Sequence, residues 1–173
     1  GTTILGVHSL RTINTKIAGN DMTGHVLSGI QVEGGVGAPT GSSATVTRNY
    51  LRNNNFCESG GEIAVYGFNG FPITVEANML DGTLCLPAAG GCLASGIEAG
   101  SNVNIIGNTI QNIADAAIFI HAAAPGATAV GTTVTVTGNS IENAGISATA
   151  NVGAIYVAPN ASNFIITSNR IWN

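Results

Sequence analysis

The sequence predicts an all-β solenoid: a chain that coils about once every 30 residues, for about six turns, with three short strands in each. Three observations carry that expectation. The triplet Asn-x-(Ile/Leu/Met) recurs at Asn20, Asn49, Asn78, Asn108, Asn139 and Asn169, in steps of 29, 29, 30, 31 and 30 residues. Apolar residues around each triplet alternate at strand spacing rather than helical spacing. Only 8% of the 173 residues are charged while 45% are hydrophobic, a composition that suits stacked apolar sheets and contradicts disorder.

The elements follow in chain order within each repeat. A first strand is signalled by Leu5-Gly6-Val7, Ile30-Gln31-Val32, Ile63-Ala64-Val65, Ile97-Glu98-Ala99, Ile118-Phe119-Ile120 and Ile155-Tyr156-Val157. A second strand ends three residues before each Asn, at Ile17, Val46, Val75, Ile105, Val136 and Ile166, with another apolar or small residue two positions earlier. The third strand follows the Asn itself. Gly24, Asn53, Gly82, Asn112, Asn143 or Asn173 stands four residues beyond it, completing the consensus V-x-V-x-x-N-x-I-x-(N/G). From each Asn to the next first strand the spacing varies as 10, 14, 19, 10 and 16 residues. Constant strands with variable corners are the mark of a solenoid. The Asn suits a tight corner because it tolerates bridge and left-handed backbone angles. Its amide can also bond to the Asn of the coil above and below.

Other classes fit poorly. Helical repeats need long runs of helix formers, and these β-branched runs are short and broken by Gly, Asn and Pro. A formal net charge of −4 and pI near 5.1 disfavour nucleic acid as a partner. Residues 116–141 lack charge, but His121, Pro125, three Gly and several Thr interrupt them, so no membrane span is predicted. With no start Met and no signal-peptide pattern, the chain is expected to be a processed product or an excised piece, extracellular or at the cell surface.

The V-x-V-x-x-N-x-I-x-N units resemble those of right-handed parallel β-helix proteins, the pectate-lyase-like superfamily, over nearly the whole chain from Leu5 to Asn173. That superfold carries lyases, hydrolases, epimerases, tailspikes, adhesins and structural proteins, so the resemblance speaks to architecture first. In its enzymes the substrate groove lies along the first-strand sheet. The resemblance therefore implies that Glu33, Glu98 and His121, with Tyr66 and Tyr156, would line any sugar-binding groove, the carboxylates acting as acid and base. The departures weigh against catalysis. Family lyases use an Arg or Lys base beside calcium-binding acids, and no basic residue falls in this row. Family polygalacturonases use clustered Asp, whereas Asp21, Asp81 and Asp115 sit on different corners. Strand geometry also places the Cα atoms of Glu33 and Glu98 about 11–12 Å apart. Solvated surface residues are the expected reading, and no cofactor or metal is expected.

Two further patterns carry less. Thr45-x-Thr47 and Thr135-x-Thr137 look outward on the second strand, as in ice-binding Thr rows, but Lys16, Glu76, Asn104 and Ile106 break the array. Cys57, Cys85 and Cys92 occupy one corner, close enough for a single disulfide of any pairing among them. The sequon at Asn160 is single.

The functional expectation comes from the tips. Residues 1–173 read as one solenoid domain, uncapped at both ends, with its strand edges open. The expected role is an extracellular structural subunit that stacks head to tail with copies of itself into a fibre. The alternative is a piece of a carbohydrate-active or tailspike-like β-helix protein with a polysaccharide partner.

Overall fold

A computed structural model describes residues 5–34, 39, 41–54, 60–82, 94–121, 133–145, 153–159 and 161–173. The three cysteines and Asn160 lie outside these residues, so neither the disulfide nor the sequon is placed. Among the described residues the chain forms three parallel sheets of six strands each. The first sheet contains β1 (Val7–Leu10), β4 (Ile30–Glu33), β7 (Gly60–Tyr66), β10 (Ala94–Ala99), β13 (Ile118–Ile120) and β16 (Ile155–Val157). The second contains β2 (Thr15–Ala18), β5 (Ala44–Thr47), β8 (Ile73–Glu76), β11 (Val103–Ile106), β14 (Val134–Thr137) and β17 (Phe164–Thr167). The third contains β3 (Asp21–Thr23), β6 (Tyr50–Arg52), β9 (Met79–Asp81), β12 (Thr109–Ile113), β15 (Ser140–Ala144) and β18 (Arg170–Trp172). Every third strand in the chain pairs with the next of its kind, so the chain is a parallel β-solenoid. Among the described residues no helix is long and apolar enough to cross a membrane.

The register explains the core. Ile30, Ile63, Ile97 and Ile118 are stacked partners in the first sheet, as are Val46, Val75, Ile105 and Val136 in the second and Leu51, Leu80, Ile110 and Ile141 in the third. All twelve are fully buried. Each contributes about 1.5–3 kcal/mol of burial, so these columns dominate stability.

The six motif Asn do form one continuous ladder. The backbone N–H and the side-chain Nδ2 of Asn20, Asn49, Asn78, Asn108 and Asn139 donate to the single Oδ1 of the Asn on the next rung, at 2.8–3.1 Å throughout. The remaining Nδ2 proton reaches back to a second-strand carbonyl of the preceding rung: Ile17 from Asn49, Val46 from Asn78, Val75 from Asn108, Ile105 from Asn139 and Val136 from Asn169.

Two sequence expectations need correction. The ladder Asn do not adopt the left-handed conformation. The residue before each one does: Gly19, Arg48, Ala77, Gly107, Gly138 and Ser168 have φ between 53 and 70°. That residue makes the bend, which frees the following Asn to aim its amide along the coil axis. The consensus Asn/Gly four positions later is the left-handed site instead, with Gly24, Asn53, Gly82, Asn112 and Asn143 at φ of 50 to 75°.

The opening strand is also displaced. Val7, not Leu5, pairs with Ile30, and His8 pairs with Gln31. Gly6 explains the shift. A Cβ there would collide with the Gly29 carbonyl, so Gly6 holds the tight position just ahead of the first aligned aliphatic residue, like Gly29 and Gly96. On the third rung that position is held by Glu62, fully buried, whose carboxylate accepts the Asn54 backbone N–H at 2.8 Å and its Nδ2 at 2.6 Å.

Candidate functional site

Strand alternation turns every second residue of the first sheet outward, and the register aligns them in two columns. One runs His8, Gln31, Ala64, Glu98, Phe119, Tyr156. Beside it stand Glu33 and Tyr66 on neighbouring strands, with Gly100 and His121 on the rungs beyond. The candidates named from sequence thus share one face.

Glu98 is the centre of that face. Its Oε1 accepts the Tyr66 hydroxyl at 2.5 Å and is contacted by Nε2 of His121. Tyr66 belongs to the rung below and His121 to the rung above, so three rungs converge on one oxygen. Gly100 makes the convergence possible. A Cβ at Gly100 would meet Cδ1 of Tyr66 at 2.9 Å, which shows that the phenol leans across the space a side chain would fill. The Tyr66 and His121 ring centroids come within 6.3 Å although they belong to rungs two apart.

Glu98 is not the solvated residue expected from sequence; it is 9% exposed. Burial opposes its ionisation, but the close His121 imidazole and the hydrogen bond from Tyr66 outweigh that effect. The carboxyl therefore titrates below the ordinary glutamate range. Tyr66 is pushed the other way. Burial, the adjacent Glu98 charge, the hydrogen bond to Glu98 and the charge of Glu33 all keep its phenol protonated.

Glu33 forms a second, more exposed hub. Its Oε1 accepts from Nε2 of Gln31 and lies 3.4 Å from Nε2 of His8. Each carboxylate is thus engaged by its own histidine. An imidazole held by a carboxylate on one nitrogen can serve as a general base at the other, a capacity both pairs share.

Aromatic rings flank the Glu98 hub. Phe119 and Tyr156 stack face to face at 5.1 Å and 4°, and Phe119 meets the edge of His121 at 4.2 Å. On the other side Tyr66 stacks on Phe68 at 5.8 Å. All four rings are half-buried, so each keeps part of its surface toward solvent. Phe68 escapes a reading of the sequence because it follows the strand, in the turn Phe68–Gly70.

Elsewhere the chemistry is sparse. Asp21 pairs with Arg52 at 3.6 Å, Asp81 accepts from Asn112 at 2.8 Å, and Asp115 is buried beside Ser95. Burial holds the Asp115 carboxyl above its usual range, against bonds from the Ala116 N–H and Ser95. The Thr rows of the second sheet align in register, and Asn104, Glu76 and Ile106 interrupt them as the sequence indicates. Among the described residues no three His, Cys, Asp or Glu side chains converge as a metal site. Comparison with family models, with curated proteins and with solved structures yields no match to this chain.

Proposed function

We propose that the chain is a secreted glycan-binding β-solenoid and that the first-sheet face around Glu98 is its binding surface. One observation carries the reading: a buried, ionised carboxylate, fixed by Tyr66 and His121, sits between two partly exposed aromatic stacks. Sugar rings present flat C–H faces and hydroxyl edges. Aromatic rings match the first, and oriented carboxylates and histidines match the second. A parallel sheet repeats such groups about every 4.8 Å, which suits an extended polymer. The low charge and the three cysteines fit an extracellular setting.

Affinity electrophoresis through gels containing soluble polysaccharides tests this. Wild-type protein is expected to be retarded by at least one polysaccharide. The Phe119→Ala/Tyr156→Ala variant should lose about tenfold in affinity with an unchanged circular dichroism spectrum. Equal retardation of the two proteins would remove the aromatic stacks from the binding surface.

A second reading, an extracellular fibre of stacked copies, rests on the sixth rung. Phe164, Ile166 and Ile171, in register with the buried columns, are 38–51% exposed there. A further rung, from a second copy or from the same polypeptide, would cover them. Electron microscopy is expected to show filaments with an axial repeat of about 29 Å if copies supply it; discrete particles would end the fibre reading.

A further inference from the structure

The charge distribution over this same face narrows the ligand. Building on the glycan reading, we propose that the first-sheet face selects an uncharged sugar polymer and excludes polyuronates. Among the described residues, the acidic groups standing outward on it are Glu33 and Glu98, and the cationic side chains are placed elsewhere. Lys16 is in β2, Arg52 in β6 and Arg170 in β18, all on the other two sheets. Arg48 lies between β5 and β6, and Arg11 follows β1 at the corner of the first rung, where its backbone N–H bonds the Glu33 carbonyl, three rungs from Glu98.

A polyuronate brings one carboxylate per sugar. Seated over Phe119 and Tyr156, it would place negative charge beside Glu98, where no guanidinium or ammonium of the neighbouring first-sheet strands stands to neutralise it. Like charges a few ångströms apart on a partly desolvated face repel strongly. His121 already faces Glu98, so a ligand carboxylate would have to compete with Glu98 for it. A neutral sugar meets no such conflict. Glu98 uses Oε1 for Tyr66 and His121, so Oε2 is left to accept from a hydroxyl. The ring stacks need only C–H surface.

The test uses length-matched oligosaccharides of glucan, mannan and galactan, each beside its C6-oxidised counterpart, which differs by one carboxylate per sugar. Titration calorimetry is run in divalent-free buffer at low and at moderate salt. At least one neutral series is expected to bind about tenfold or more tightly than its oxidised partner at low salt. Added salt should narrow that gap, as should Glu98→Gln. Equal or tighter binding of the oxidised series overturns the charge inference while leaving the glycan reading intact. Binding by neither series removes the glycan reading and this inference with it.

Discussion

Replacing Asn108 with leucine is expected to destabilise the fold by about 3–5 kcal/mol, a large part of the roughly 5–15 kcal/mol available to an ordinary domain. Asn108 is fully buried at the middle of the ladder. Its Oδ1 accepts both the backbone N–H and the Nδ2 of Asn78, and its own Nδ2 donates to Asn139 and to the Val75 carbonyl. Leucine removes all of these at once. Two donors on Asn78 and an acceptor on Val75 are then stranded in the core, and each orphan costs about 1–3 kcal/mol. The same change at Asn20 should cost only about 1 kcal/mol, because Asn20 is half-exposed and gives ladder bonds without receiving one. Urea unfolding of both variants measures the contrast. Equal losses at the two sites would mean that the column is held by the apolar core alone.

Glu98→Gln should weaken glycan binding about 10–100-fold, the worth of a charge-assisted hydrogen bond in a desolvated site. It should also lower stability by about 1–2 kcal/mol at neutral pH. The stability contribution depends on pH in a defined sense. The folded-state carboxyl titrates below its unfolded value, so its contribution is fully present above the unfolded carboxylate range. It is lost as pH falls through the depressed folded value. The difference between wild type and variant is therefore expected to close on acidification. Gly100→Val is the companion variant. It keeps the charge but drives Tyr66 from its place over Gly100, so binding should fall while Glu98 titrates closer to its usual range, as NMR would show. A stability difference that persists unchanged into acid would mean that the Glu98 charge is not what His121 and Tyr66 stabilise.

The coil is legible in the sequence because its determinants are local and repeated. The Asn column, the alternating aliphatic positions and the variable corner lengths each leave a mark at a fixed step. The register of the opening strand is not legible, because Leu5-Gly6-Val7 matches the apolar pattern as well as Val7-His8-Ser9 does. The arbiter is Gly6, whose closeness to the Gly29 carbonyl is a property of the packed coil. Propensity points to Asn for the left-handed angles, whereas Arg48, Ala77 and Ser168 adopt them because the ladder over-determines the bend. At the candidate site, register alone suffices to place Glu33, Glu98 and His121 on one face. Their grouping needs more. It depends on Tyr66 crossing an empty place over Gly100, and a glycine in an outward row is the one available sign.

The ladder also has a direction. From Asn20 to Asn139 each amide donates to the Oδ1 of the higher-numbered rung, so the column is a vector whose side-chain dipoles add rather than cancel. The Oδ1 atoms all face the lower-numbered rung, whereas the backbone N–H groups face the higher one. A rung laid against Asn169 has to present a carbonyl, and one laid against Asn20 has to present an N–H. Mirror-wise contact between like faces would set acceptor against acceptor. Growth along this axis, by added sequence or by added molecules, is compatible with a single orientation.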